Sequence, residues 1–210
     1  MKIILIRQAD TTMTWAARYD SAAFRRAVEE EQELAAAAIS AVRSDVSAYR
    51  VYTGTARACR ETAEMLFDLS EPPEETPLLN DVLLAPFRDT ETPLPLGLWR
   101  AVGTAQWAVN SPRQPEGRRE TADRALRFIR QLETEDRDCV VICRGLLLSA
   151  LKTTLRFRGY CLEGGGSGPL ARTRAVKQSL HCGGCHHNCL LADAKCAIGQ
   201  SKARERGVLR

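Results

Sequence analysis

Histidine is what this sequence lacks. Among its 210 residues none before His181 is a histidine, and all three (His181, His186 and His187) crowd into one late stretch. Chemistry that needs an imidazole in the body of the chain is excluded by that alone, since no shift of register can supply one. Apolar runs are short as well. None approaches the ~20 residues of a membrane-spanning helix, so no membrane partner is expected. Aromatics are sparse at 6%, and a net charge of +4 is too mild to mark the whole molecule as a polyanion binder. The chain opens directly on an apolar strand, which leaves no room for a signal peptide, and the expected location is the cytoplasm. What is there, 44% hydrophobic and 27% charged residues, suits a globular α/β domain with a sizeable core and a small appendage.

Ile3 to Ile6 is a continuous β-branched and apolar run, the pattern of a strand covered on both faces. Polarity switches at Arg7. Ligands of open α/β sheets bind at the carboxyl ends of strands, which makes Arg7, Gln8, Asp10 and Thr11 candidates. Ser21 to Val42 reads as a helix capped by Ser21, with an apolar stripe of Phe24, Val28, Leu34, Ala38 and Val42. Arg50 to Thr53 reads as a second strand, and a turn at Gly54 leads into a helix ending near Leu66. Backbone N–H groups, hydroxyls and arginines at that helix start suit an anion. Pro86 to Arg113 is a proline-rich insert holding a helix over Leu98 to Val109, with Trp99 and Trp107 on one face. A surface helix anchored by its aromatics is the reading preferred there. Thr121 to Glu133 is a helix expected beside a strand at Val140 to Cys143, and Leu146 to Phe157 is the next helix. Glu163 to Pro169 reads as a flexible loop and Arg172 to Leu180 as a last edge strand.

The order of these segments resembles the histidine phosphatase superfamily, with its phosphoglycerate mutase-like fold. A strand ending in Arg7-X-X-X-Thr11 stands where that family has Arg-His-Gly-X-Thr. Val51-Tyr52-Thr53-Gly54 followed by Arg57-Ala58 and Thr62-Ala63-Glu64 falls where it has Thr-Ser-X-X-X-Arg-Ala-X-X-Thr-Ala. Asn80-Asp81 falls at its Leu-X-Glu, and Cys143-Arg144-Gly145 at its buried strand ending in His-Gly. The resemblance implies a three-layer α/β/α sandwich with a mainly parallel sheet over residues 1–180, with a cap insert at about 83–117. It also implies a phosphohistidine mechanism, for which the residues are missing. Gln8 stands at the nucleophile, and a carboxamide nitrogen cannot take that role. Arg144 stands at the second histidine and Asp81, one methylene short, at the general acid. Ala58 aligns with the second arginine, although Arg57 or Arg60 reaches it after a small slip.

The expectation is therefore a catalytically degenerate protein. Arg7, Gln8, Thr11, Arg57, Arg60 and Arg144 would form a pocket for a phosphorylated or carboxylated small molecule, since guanidinium groups grip such anions bidentately. Structural counter-charge from Asp10, Asp81 or Asp89 is the equal alternative. An active phosphomonoesterase would need Asp10 or the Cys143 thiolate as a substitute nucleophile.

Of eight cysteines, Cys59, Cys139, Cys143 and Cys161 are scattered, while Cys182, Cys185, Cys189 and Cys196 lie close together. Four thiolates spaced Cys-X2-Cys-X3-Cys-X6-Cys suit tetrahedral zinc or an iron–sulfur cluster, with a histidine able to replace one of them. The expected Cys-rich segment is 181–210. Its basic flanks carry no aromatics for stacking, so a protein partner or docking on the main domain is preferred over nucleic acid. A metal- or redox-responsive interaction protein is thus a third reading.

Overall fold

In a computed structural model of the chain, residues 1–39, 43–166 and 168–177 are described, and Met1–Lys177 forms one compact unit. Cys182, Cys185, Cys189 and Cys196 lie outside the described residues, as do Val42 and positions 178–180. In chain order the elements are β1 (Lys2–Arg7), β2 (Arg18–Tyr19), α1 (Ser21–Glu33), β3 (Ser44–Asp45), β4 (Arg50–Thr53) and α2 (Arg57–Leu66). β5 (Phe67–Asp68), β6 (Glu74–Glu75), a 3-10 turn (Pro77–Leu79), β7 (Leu94–Pro95) and α3 (Leu96–Ala108) follow. The chain then runs through α4 (Arg118–Glu135), β8 (Cys139–Cys143), α5 (Gly145–Phe157), β9 (Tyr160–Gly164) and β10 (Arg172–Lys177).

Among the described residues, six strands form the central sheet in the order β6-β4-β8-β1-β10-β9. β6, β4, β8 and β1 run parallel, whereas β10 and β9 are antiparallel. Every residue of β8 is buried, and its side chains alternate between two cores. Cys139, Val141 and Cys143 join Ile3 and Leu5 against Phe128, Ile129 and Leu132 of α4 and Leu147, Leu151 and Leu155 of α5. Val140 and Ile142 join Ile6 and Val51 against Ala63 and Leu66 of α2. These two cores make three layers. No described helix is long and apolar enough to cross a membrane.

Several boundaries differ from the sequence reading. α1 stops at Glu33 instead of running to Val42, because the alanine-rich stretch beyond it pairs with the segment after β1. Thr12 N donates to Ala35 O at 3.0 Å, and Ala36 N donates to the Glu61 carboxylate at 2.8 Å. Tertiary hydrogen bonds here outweigh alanine's helix propensity. The cap is Asp20, whose Oδ1 accepts from Ala23 N at 2.7 Å, while Ser21 turns its hydroxyl to Thr90 O. β10 is no edge strand: β9, which the sequence reading places in no element, lies outside it and forms the edge. The insert helix is anchored by one tryptophan above all. Trp99 is fully buried, stacks on Phe24 at 5.2 Å and donates to Tyr19 O, whereas Trp107 bonds Thr121 of α4.

Candidate functional site

Parallel register sets Arg7 of β1 opposite Cys143 of β8, so the next residues, Gln8 and Arg144, leave neighbouring strands at their carboxyl ends. Gln8 N donates to Cys143 O at 3.0 Å, which keeps the two chains in step past the sheet. A cavity of about 10 Å³ opens there, room for about one water. Gln8 and Arg144 line it together with Glu31 and Gln32 of α1, Gly54, Ala56 and Cys59 at the β4–α2 junction, and Asn80 and Asp81. Gly54 is needed for close approach, since a Cβ there would sit 2.8 Å from Leu79 O.

Charge in this site is paired within the chain. Arg144 Nη1 donates to Glu31 Oε1 at 2.8 Å, and its Nε lies 3.6 Å from Asp81 Oδ2. Glu31 is 9% exposed and also accepts from Thr11 Oγ1 at 3.2 Å. Asp81 is pressed against the start of α5. Gly145 takes φ +62 there, and any Cβ on it would overlap the Asp81 carboxyl. Burial pushes the Asp81 carboxyl up to about 6, against the pull of Arg144 and of backbone N–H groups at Val82, Leu147 and Leu146. Its Oδ1 is buried without a hydrogen-bond partner among the described residues.

Gln8 is 3% exposed, and its Oε1 accepts from Cys59 Sγ at 2.8 Å. That leaves the amide nitrogen as the donor available to the cavity. Asn80 Oδ1 is likewise taken by Thr55, through N at 2.8 Å and Oγ1 at 3.0 Å. Neither nearby thiol is a ready nucleophile. Burial pushes Cys59 up to about 12 and Cys143 well above its ordinary value.

Of the residues singled out in the sequence, the fold brings Gln8, Asp81 and Arg144 to one cavity. Arg7 does not line it. Thr11 reaches it only through Glu31. Arg57 and Arg60 are half-exposed on α2 and already hold Glu61 and Glu75 at 2.6 and 2.8 Å. Asp10 is exposed, and Asp89 pairs with Arg113 at the surface, 3.7 Å apart. The counter-charge that sequence reasoning missed is Glu31. A signal for it exists: Phe24, Ala27 and Glu31 share one helical stripe, yet Glu29, Glu30 and Glu33 hide the residue in an acidic run. No group of histidine, cysteine and carboxylate side chains fit to hold a metal occurs among the described residues. A groove of about 550 Å³ at the amino ends of β4 and β8 holds none of the predicted residues, and its Arg50 already pairs with Glu74.

No family model matches the sequence, and no curated protein does. Solved structures do. A candidate alpha-ribazole-5′-P phosphatase from Escherichia coli is similar with a TM-score of 0.50 at 16% identity, over 89% of this chain and 99% of that one. The fold is phosphoglycerate mutase-like. Alpha-ribazole phosphatase from Shigella flexneri follows with a TM-score of 0.49 at 16% identity, covering 89% of this chain and all (100%) of that one. A mycobacterial glucosyl-3-phosphoglycerate phosphatase has a TM-score of 0.47 at 16% identity, over 82% and 91%. At such identities the likeness concerns the fold alone.

Proposed function

We propose that this chain binds a phosphorylated or carboxylated small molecule at the Gln8–Asp81–Arg144 end of its sheet and forms no phosphoenzyme. One observation carries the reading: two neighbouring strand ends present a carboxamide and a guanidinium where phosphoryl transfer through phosphohistidine needs imidazoles. Arg144 and the amide nitrogen of Gln8 are donors that hold an oxyanion, and neither can accept a phosphoryl group. Asp81, with its carboxyl near 6, suits proton donation to a leaving oxygen, but an acid without a nucleophile completes no transfer.

The test is covalent trapping. Full-length protein is mixed with a labelled aryl phosphate, quenched, digested and mapped, while release of the aryl alcohol is followed in parallel. No label within residues 1–177 and no turnover above buffer are expected. A covalent phosphate there would overturn the reading. So would turnover that survives Gln8→Ala and disappears in Asp10→Asn or Cys143→Ser.

A second reading rests on the sequence of the tail. Cys182, Cys185, Cys189 and Cys196 within fifteen residues favour a bound zinc or iron–sulfur cluster, whose binding free energy would fold the segment and present it to a protein partner. Metal analysis with an absorption spectrum decides it. Stoichiometric metal lost on chelation supports it, a visible band selecting iron–sulfur and a colourless sample zinc. Metal-free protein excludes it.

A further inference from the structure

α1 reaches the pocket from a core of its own. Phe24 and Ala27 pack with Tyr19 and Trp99 in a cluster separate from both faces of the sheet. One turn further along that stripe stands Glu31, whose Oε1 takes Arg144 Nη1 at 2.8 Å and Thr11 Oγ1 at 3.2 Å. The same carboxylate oxygen thus receives a guanidinium and a hydroxyl, the donor pair that an oxygen of phosphate or of a ligand carboxylate would seek. The cavity left beside it, about 10 Å³, has no room for such a group. The lining sets two carboxyl groups, Glu31 and Asp81, against the one guanidinium, so an incoming oxyanion has to compete with them for Arg144. Asp81 is seated on the start of α5 and belongs to the sheet's own framework. Glu31 comes from outside it.

We propose that Glu31 is a built-in anion that occupies Arg144 in place of a ligand, so that the pocket accepts an oxyanion only when α1 withdraws this carboxylate. The proposal rests on the reading of this pocket as a binding site and adds what governs it. The chain's own side chain competes with the ligand for one guanidinium, and affinity follows how firmly Glu31 is held. Thr11 is then a positioning residue, because its hydroxyl steadies Glu31 and does not face the cavity.

The experiment is calorimetric titration of the full chain with inorganic phosphate near pH 7.5, on wild type, Glu31→Gln, Arg144→Ala and Glu31→Gln combined with Arg144→Ala. Glutamine keeps the shape and the acceptor oxygen but removes the charge. Glu31→Gln should bind phosphate at least about tenfold more tightly than wild type, ~1.4 kcal/mol, and the double variant should lose that gain. Thr11→Val keeps the Glu31 charge, removes one of its hydrogen bonds and should show a smaller gain. It decides the matter alone if Glu31→Gln does not fold, unchanged affinity counting against the proposal. Equal phosphate affinity in wild type and Glu31→Gln, lost in both on Arg144→Ala, would overturn the built-in anion and leave the binding reading standing. Binding in neither protein would overturn both.

Discussion

Arg124, from α4, and Arg144, at the end of β8, reach the loop of residues 77–81 from two sides. Arg124 grips Glu116 with Nη2 at 2.9 and 2.8 Å and with Nε at 3.2 Å, and its Nη1 donates to Leu78 O at 3.1 Å and to Asn80 O. Its donors are close to saturated, and its side chain is 13% exposed. Arg144 makes one close bond, to Glu31, and one loose pair at 3.6 Å, to Asp81, beside a cavity. A buried charge whose donors are all spent is fixed in place. One with donors to spare can exchange one anionic partner for another without stranding its charge. The same residue type on the same loop therefore serves as a clamp in one place and as an exchangeable contact in the other.

The largest test of that contrast is Arg124→Ala. It strands the part-exposed Glu116 carboxylate and uncovers carbonyls of the loop, so a loss of about 3 kcal/mol, the low end for a buried pair, is expected in urea unfolding. A loss below ~1 kcal/mol would mean that water replaces the clamp easily, and the two arginines would not differ in kind.

Asp81→Asn comes next and has the opposite sign at neutral pH. The Asp81 carboxyl is raised by burial from 3.8 to about 6, so between those values the folded chain holds a proton that the unfolded chain has lost. Stability linked to this group is therefore intact below about pH 4, falls as pH rises to about 6, and stays lost above. At ~1.4 kcal/mol per pH unit the cost reaches roughly 3 kcal/mol. Asparagine carries no such cost. Its stability advantage over wild type should grow between pH 4 and 6 and then level off, as read from urea unfolding at a series of pH values. A difference that stays flat with pH would show Asp81 as an ordinary ionised partner of Arg144.

How much of this was readable beforehand follows from how local each signal is. β1, β4, β8 and α5 were legible because apolar runs and periodicity are properties of neighbouring residues, and they fixed the fold and the strand ends where Gln8 and Arg144 meet. The short α1 was not legible, because a hydrogen bond from Thr12 N and one to the Glu61 carboxylate decide where the alanine stretch goes. β9 was hidden for a related reason. Tyr160–Gly164 has little apolar alternation and becomes a strand by pairing with β10. The anion-pocket expectation grouped arginines by nearness in sequence to the strand ends. Pairing then sorted them: Glu31, 113 positions away, took Arg144, while Arg57 went to Glu61 on its own helix.

The smallest expected effect separates those surface arginines from the two half-buried ones. Arg60 faces solvent with 43% of its side chain exposed and holds Glu75 at 2.8 Å. Arg57, 53% exposed, holds Glu61. Exposed pairs of this kind contribute about 0–1 kcal/mol, since water solvates both charges once the partner is gone. Arg57→Ala and Arg60→Ala should therefore each shift urea unfolding by less than ~1 kcal/mol, and less again in high salt, where such pairs are screened. Neither should alter phosphate titration of the Glu31→Gln protein, because neither guanidinium lines the cavity. A fall in phosphate affinity on Arg57→Ala or Arg60→Ala, with unfolding unchanged, would return that arginine to the binding site and extend the exchangeable class beyond Arg144 to a cation that needs no burial to change partners.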